Sequence, residues 1–101
     1  MDIITEQMMQ FIKTSSKDKR IGKGHFTMYL AFLYCWQEQQ CNPFYISREY
    51  VMELARIGST STYHRHMRDM AFLGYVEYKP SYHPGIRTTL FLKALENPIN
   101  V

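Results

Sequence analysis

The stretch from Ser59 to Tyr78 constrains this chain more than any other. It opens with four hydroxyl residues, Ser59-Thr60-Ser61-Thr62, any of which can cap a helix. Tyr63, Met67 and Met70 then recur at i, i+4 and i+7, which gives a helix one apolar face. Ser61, His64, Arg65 and Arg68 fall on a different face, polar and basic. Gly74 stops the helix, and Tyr75-Val76-Glu77-Tyr78 reads as a strand. Any fold must therefore bury one side of a short helix, leave a basic side outward, and pass at once into a strand.

The rest of the chain has to supply the core. With 101 residues, 46% hydrophobic and 15% aromatic, there is enough apolar surface for one domain rather than a disordered chain. The formal net charge of +3 is compatible with a polyanionic partner but mild. Ile3 and Ile4 are followed by Glu6 and Gln7, so no secretory leader is expected. The most apolar run, Phe26 to Trp36, is too short and interrupted to span a bilayer, and no membrane partner is expected. Cys35 and Cys41 form no CxxC pair and read as reduced thiols of a cytoplasmic protein.

Taken in order, residues 1–16 read as an N-terminal helix with an apolar stripe of Ile4, Met8, Phe11 and Ile12. It packs onto its own domain or pairs with a second copy as a homodimer; the sequence supports both. Residues 17–24 read as a basic linker, with Lys17, Lys19, Arg20 and Lys23 around Asp18, and Gly22 and Gly24 loosening the backbone. The four cations are candidate phosphate contacts. Residues 25–95 read as the main domain. His25 to Gln40 is its strongest helix, with Phe26, Tyr29, Leu30, Leu33 and Trp36 at helical spacing and Phe32 close by. Asn42-Pro43 breaks it, and Phe44-Tyr45-Ile46 is a short strand. Ser47 caps a next helix whose inward face is Val51, Leu54 and Ala55, closed by Ile57 with Gly58 as the left-handed exit. The runs Tyr75 to Lys79 and Arg87 to Leu92 flank a loop with two prolines and a glycine, as in a β-hairpin. The predicted fold is mainly α with this small β-hairpin, and two short helices joined by a tight turn sit at its centre.

This order of helix, helix, short strand, helix, turn, helix and hairpin resembles the winged helix-turn-helix family of DNA-binding domains. Ile46-Ser47 opens the second motif helix, and Ser59 to Leu73 fits the family's hydroxyl-rich, helix-starting pattern. Tyr63, Met67, Met70 and Leu73 fill its apolar slots, and Gly74-Tyr75-Val76-Glu77 opens the wing. The likeness covers about residues 25 to 93. Gly58-Ser59, Tyr63-His64, Leu73-Gly74-Tyr75 and Pro80-Ser81-Tyr82-His83-Pro84 are similar to short winged-helix transcriptional regulators carried on bacterial conjugative or mobilisable elements. The chain departs from the commonest pattern in having Met67 and Met70 where leucine or isoleucine is usual.

The resemblance implies sequence-specific binding of double-stranded DNA, with a helix in the major groove. Arg65 and Arg68 would read bases, Ser61, Thr62 and His64 would touch bases or phosphates, and Ser59 and Thr60 would form an anion site at the helix start. Lys79, Tyr82, His83 and Arg87 would be the wing contacts. A role in excision or replication of a mobile element would use the same residues, and a protein-interaction module is the other class. Enzymatic readings have no support in the sequence. His64 and His66 are two apart on a helix and cannot chelate one metal, so neither metal nor cofactor is expected, and His66 is placed at the border of the core. Glu49 and Glu53, beside Arg48 and Arg56, read as a solvated face rather than paired catalytic carboxylates.

Overall fold

A computed structural model describes residues 2–81 and 87–95 of the protein. It contains α1 (Ile3–Ser15), α2 (Lys23–Gln39), β1 (Phe44–Ile46), α3 (Arg48–Ala55), α4 (Thr60–Phe72), β2 (Val76–Lys79) and β3 (Thr88–Leu92). The expected mainly helical chain with a small hairpin is present, and β1 joins the hairpin to make three antiparallel strands in the order β1-β3-β2. No helix among the described residues is long and apolar enough to cross a membrane.

α2 is the central element. Met28, Tyr29, Ala31, Phe32, Leu33, Cys35 and Trp36 are all buried, so the helix is enclosed on most of its circumference. α1, α3, α4 and β1 all pack against it. The stripe read from the sequence is displaced in one place: Leu30 is 41% exposed, while Met28 and Cys35 point inward. An enclosed helix has no single apolar face, so spacing alone does not select its open side. Burial pushes the Cys35 thiol up to about 11, which keeps it protonated and unreactive at neutral pH.

α1 is seated on this core through Phe11, which is fully buried and stacks on Tyr29 with ring centroids 3.7 Å apart. Tyr75 meets the same phenylalanine edge-on at 5.6 Å. Ile4 and Met8 also pack inward, but Ile12, read as part of the stripe, is 42% exposed. Gln7 fastens the helix by donating from Nε2 to the Tyr29 hydroxyl and to the Lys93 carbonyl, both at 2.8 Å.

Local capping sets the two central short helices. Ser47 and Ser59 have extended backbones, and their hydroxyls accept the Tyr50 and Thr62 amides. Two details differ from the sequence reading. α3 ends at Ala55, and the left-handed residue is Arg56, with φ 60, rather than Gly58. The Arg56 amide turns back to the Glu53 and Met52 carbonyls and the Ile57 amide to that of Met52, so the Schellman-like closure arrives earlier than the glycine suggests. Gly74, with φ +89, does end α4, but Tyr75 is not part of β2. Its buried ring belongs to the core.

The three-residue strand β1 survives because two side-chain amides complete its hydrogen bonding. On the open edge, Gln39 Oε1 accepts the Tyr45 amide at 2.8 Å and Gln39 Nε2 donates to the Tyr45 carbonyl at 2.7 Å. Beyond the strand's start, Asn42 does the same to β3, accepting the Leu92 amide at 2.9 Å and donating to its carbonyl at 3.0 Å. A side-chain amide thus replaces one residue of backbone on each side of a strand too short to hold itself. Inward, Phe44, Ile46, Val76, Leu90 and Leu92 close the core. Replacing Asn42 with alanine strands two partly buried backbone groups of Leu92 and is expected to lower unfolding free energy by about 1–3 kcal/mol in urea denaturation. An unchanged midpoint would show that water replaces both bonds.

Candidate nucleic-acid interface

α4 carries the residues of interest on the side opposite its buried face. Tyr63, Met67 and Met70 are buried, whereas Ser59, Thr60, Ser61, His64, Arg65 and Arg68 are exposed and Thr62 is half-buried. Ser61, Arg65 and Arg68 are spaced i, i+4, i+7 and share one line along the helix. Among the described residues no carboxylate engages Arg65 or Arg68. The only acid of α4, Asp69, is turned toward α2, where it lies 2.9 Å from His25. The outward line therefore carries no acid. It ends in Phe72, which is 88% exposed and which the sequence reading left without a role.

The start of α4 is already partly occupied. Ser59 Oγ accepts the Thr62 amide at 3.3 Å and lies 2.9 Å from Ser61 Oγ. A phosphate placed there would meet the remaining first-turn amides and the exposed hydroxyls.

Beside this helix runs an open groove lined by Ile46, Arg48, Tyr63, His64, Tyr78, Pro80, Ser81 and Thr88. His64 forms one wall and the base of the hairpin the other. A second groove continues past Arg48 to Tyr45, Arg87 and Thr88. The Arg87 guanidinium stands 5.4 Å over the Tyr45 ring, a cation–π contact that aims the charge along the sheet's outer face. Lys79, on β2, is exposed opposite Thr89. Arg48 is the residue that the sequence reading missed, because its neighbour Glu49 made it look like part of a solvated pair. It does bond Glu49 at 3.1 Å on the surface, yet it also lines both grooves, between His64 and Arg87. Its position directly after the Ser47 cap was the available signal. Tyr82 and His83, the expected tip contacts, lie outside the described residues.

The Lys17–Lys23 segment, read as a loose linker, is tied down. Asp18 is its hub. It accepts Arg20 Nε at 2.8 Å, Arg20 Nη2 at 3.1 Å, the Arg20 amide at 3.1 Å, and the Tyr75 hydroxyl at 3.0 Å. The segment is thereby tied to the residue that follows α4's C-terminal stop, away from Ser59 and the α4 N-terminus. Arg20 is committed to Asp18, while Lys17, Lys19 and Lys23 remain exposed. Gly22 and Gly24 serve the helix rather than loosening it: Gly22 is the N-cap position of α2, and Gly24 lies in its first turn.

Comparison with protein-family models, curated proteins and solved structures finds no match to this chain.

The hub has a defined pH signature. The Arg20 hydrogen bonds, with help from the Arg20 amide and Tyr75, hold the Asp18 carboxyl down to about 2 from an ordinary 3.8. Burial first, and then the bond to Asp18, push Tyr75 up to about 12. A carboxyl depressed by folding stabilises the native state above its unfolded pKa, and that stabilisation is lost as pH falls from about 4 toward 2. Asp18→Asn is expected to lose about 1–2 kcal/mol at pH 7, after allowance for the exposed guanidinium. The difference from the parent should close by pH 2 in paired thermal melts. A gap that stays constant across that range would show that the carboxylate charge is not what holds the segment.

Proposed function

We propose that the protein is a winged helix-turn-helix DNA-binding protein that binds double-stranded DNA sequence-specifically, most simply as a transcriptional regulator. The observation that carries this reading is the outward line Ser61–Arg65–Arg68 on a helix whose other face is locked into the core. Such a helix can enter the major groove as a rigid body, with α3 across the turn behind it. An arginine can donate two hydrogen bonds to guanine O6 and N7, worth about 1–3 kcal/mol of discrimination. The β2–β3 hairpin would act as the wing, with Lys79 and Arg87 on the DNA backbone and Arg48 bridging between wing and helix.

The strand order and the short β1 support the same reading, since they set the hairpin beside α4. The modest net charge of +3 suits a protein that gains affinity from two copies on adjacent sites rather than from one. The N-terminal helix is one candidate for such pairing. A regulator would protect a palindrome near a promoter, with half-sites one helical turn apart. A factor for excision or replication of a mobile element would protect several adjacent sites and bend them.

The test begins with selection of bound sequences from random duplexes, followed by titration of the selected site. Binding should weaken steeply with salt, with one unit of slope for roughly each phosphate neutralised. Arg65→Ala and Arg68→Ala should each lower affinity for the selected site by about tenfold while leaving the melting temperature within a degree or two. A flat salt dependence, or both variants binding like the parent, would remove DNA as the ligand of this face and leave protein interaction as its use.

A further inference from the structure

Between α2 and α4 lies a group of side chains that the DNA reading does not use. Gly24 is the reason they meet. A Cβ at that position would overlap the His66 ring, so the missing side chain lets His66 lie directly over the α2 backbone. The His66 and His25 rings are then 4.2 Å apart between centroids, inclined at 49°. His66 and Asp69 are i, i+3 neighbours on α4, and His25 Nε2 lies 2.9 Å from Asp69 Oδ2. One donor atom from each of the three residues falls within 4.8 Å of the other two.

One observation in this cluster lacks a structural explanation. His66 Nδ1 is buried and, among the described residues, has no hydrogen-bond partner. A buried polar atom left in this state is costly. It calls for a ligand or a role. Two imidazoles and a carboxylate, from two helices that are both fixed in the core, are a donor set for zinc and its neighbours in the first transition row. Magnesium and calcium, which demand oxygen ligands, fit it poorly.

We propose that His25, His66 and Asp69 bind one divalent transition-metal ion of the zinc class, clamping the first turn of α2 to α4. In the metal-free protein the Gly22 amide donates to His25 Nδ1 at 2.9 Å, so that nitrogen bears no proton and Nε2–H points at Asp69. The ion takes the Nε2 lone pair, the displaced proton moves to Nδ1, and the amide of the exposed residue Gly22 exchanges this part-buried bond for one to water. One replaceable cap bond is exchanged for a coordinate bond. His66 supplies a ring nitrogen and Asp69 a carboxylate oxygen. Solvent completes the shell of a tetrahedral ion. Spacing along the chain gave no sign of the site, because His25 comes from a different helix and only the Gly24 contact brings it to His66.

The site stands apart from the DNA reading and is tested on protein alone. The metal-free 101-residue chain is titrated with zinc by calorimetry, with cobalt absorption as a report on ligand geometry. One ion per chain is expected, with Kd of about 10 µM or tighter. Magnesium should produce no heat. His66→Ala and Asp69→Asn should each weaken zinc binding by at least about tenfold, and His64→Ala should not change it. Asp69→Asn keeps the side-chain volume and still accepts the His25 N–H, so it remains informative if His66→Ala does not fold. In ¹H–¹⁵N spectra the Gly22 amide should shift on zinc saturation in the parent and stay in place in Asp69→Asn. The proposal is overturned if zinc does not bind stoichiometrically at about 100 µM. It is equally overturned if the two ligand variants bind as the parent does, since the ion would then sit elsewhere.

Discussion

The enclosure of α2 is the constraint on which the rest of the structure depends. A chain of this length can make only a small core, and here one helix supplies more of it than any other element. Because α2 is covered on most of its circumference, each other element has to find its place around it. α1 does so through Phe11, α3 through Val51 and Ala55, and α4 through Tyr63, Met67 and Met70. The outward face of α4 is what remains once that obligation is met. The proposed binding surface is thus a by-product of core packing, and its rigidity comes from the same source.

Polar side chains then do what the short elements cannot do alone. Gln39 and Asn42 complete the backbone pairing of β1, Gln7 ties α1 to the exit of β3, and Asp18 ties the basic segment to Tyr75. Each is an amide or carboxylate with several acceptor or donor sites, used at two or more of them. Among the described residues, seven short elements reach a defined arrangement by this means.

The sequence disclosed what depends on neighbours a few residues away. The Ser47 and Ser59 caps, the inward line of Tyr63, Met67 and Met70, and the alternation of Leu90 and Leu92 all follow from local periodicity and were legible. The outward placement of Ser61, His64, Arg65 and Arg68 followed from the same periodicity. What could not be read depends on distant or reciprocal contacts. Asp18 looked like a lone acid among lysines because its partner Tyr75 comes from the other side of α4. Arg56, not Gly58, took the left-handed conformation because the amides after Ala55 close back onto α3 before the glycine is reached. Arg48 gained its place between two grooves only when β1 and the hairpin came together.

The strand order has a consequence for synthesis on the ribosome. β3 is the middle strand, yet it is made after both of its neighbours. Until residues 88–92 emerge, β1 and β2 have no common partner, and Phe44, Ile46 and Val76 lack the surface that Leu90 and Leu92 provide. The helices can assemble around α2 as they appear, but the sheet closes in a single late event. A translational pause shortly before that point would hold the chain as a helical cluster with two unpaired strand edges, the state in which it is most exposed to pairing with another nascent chain.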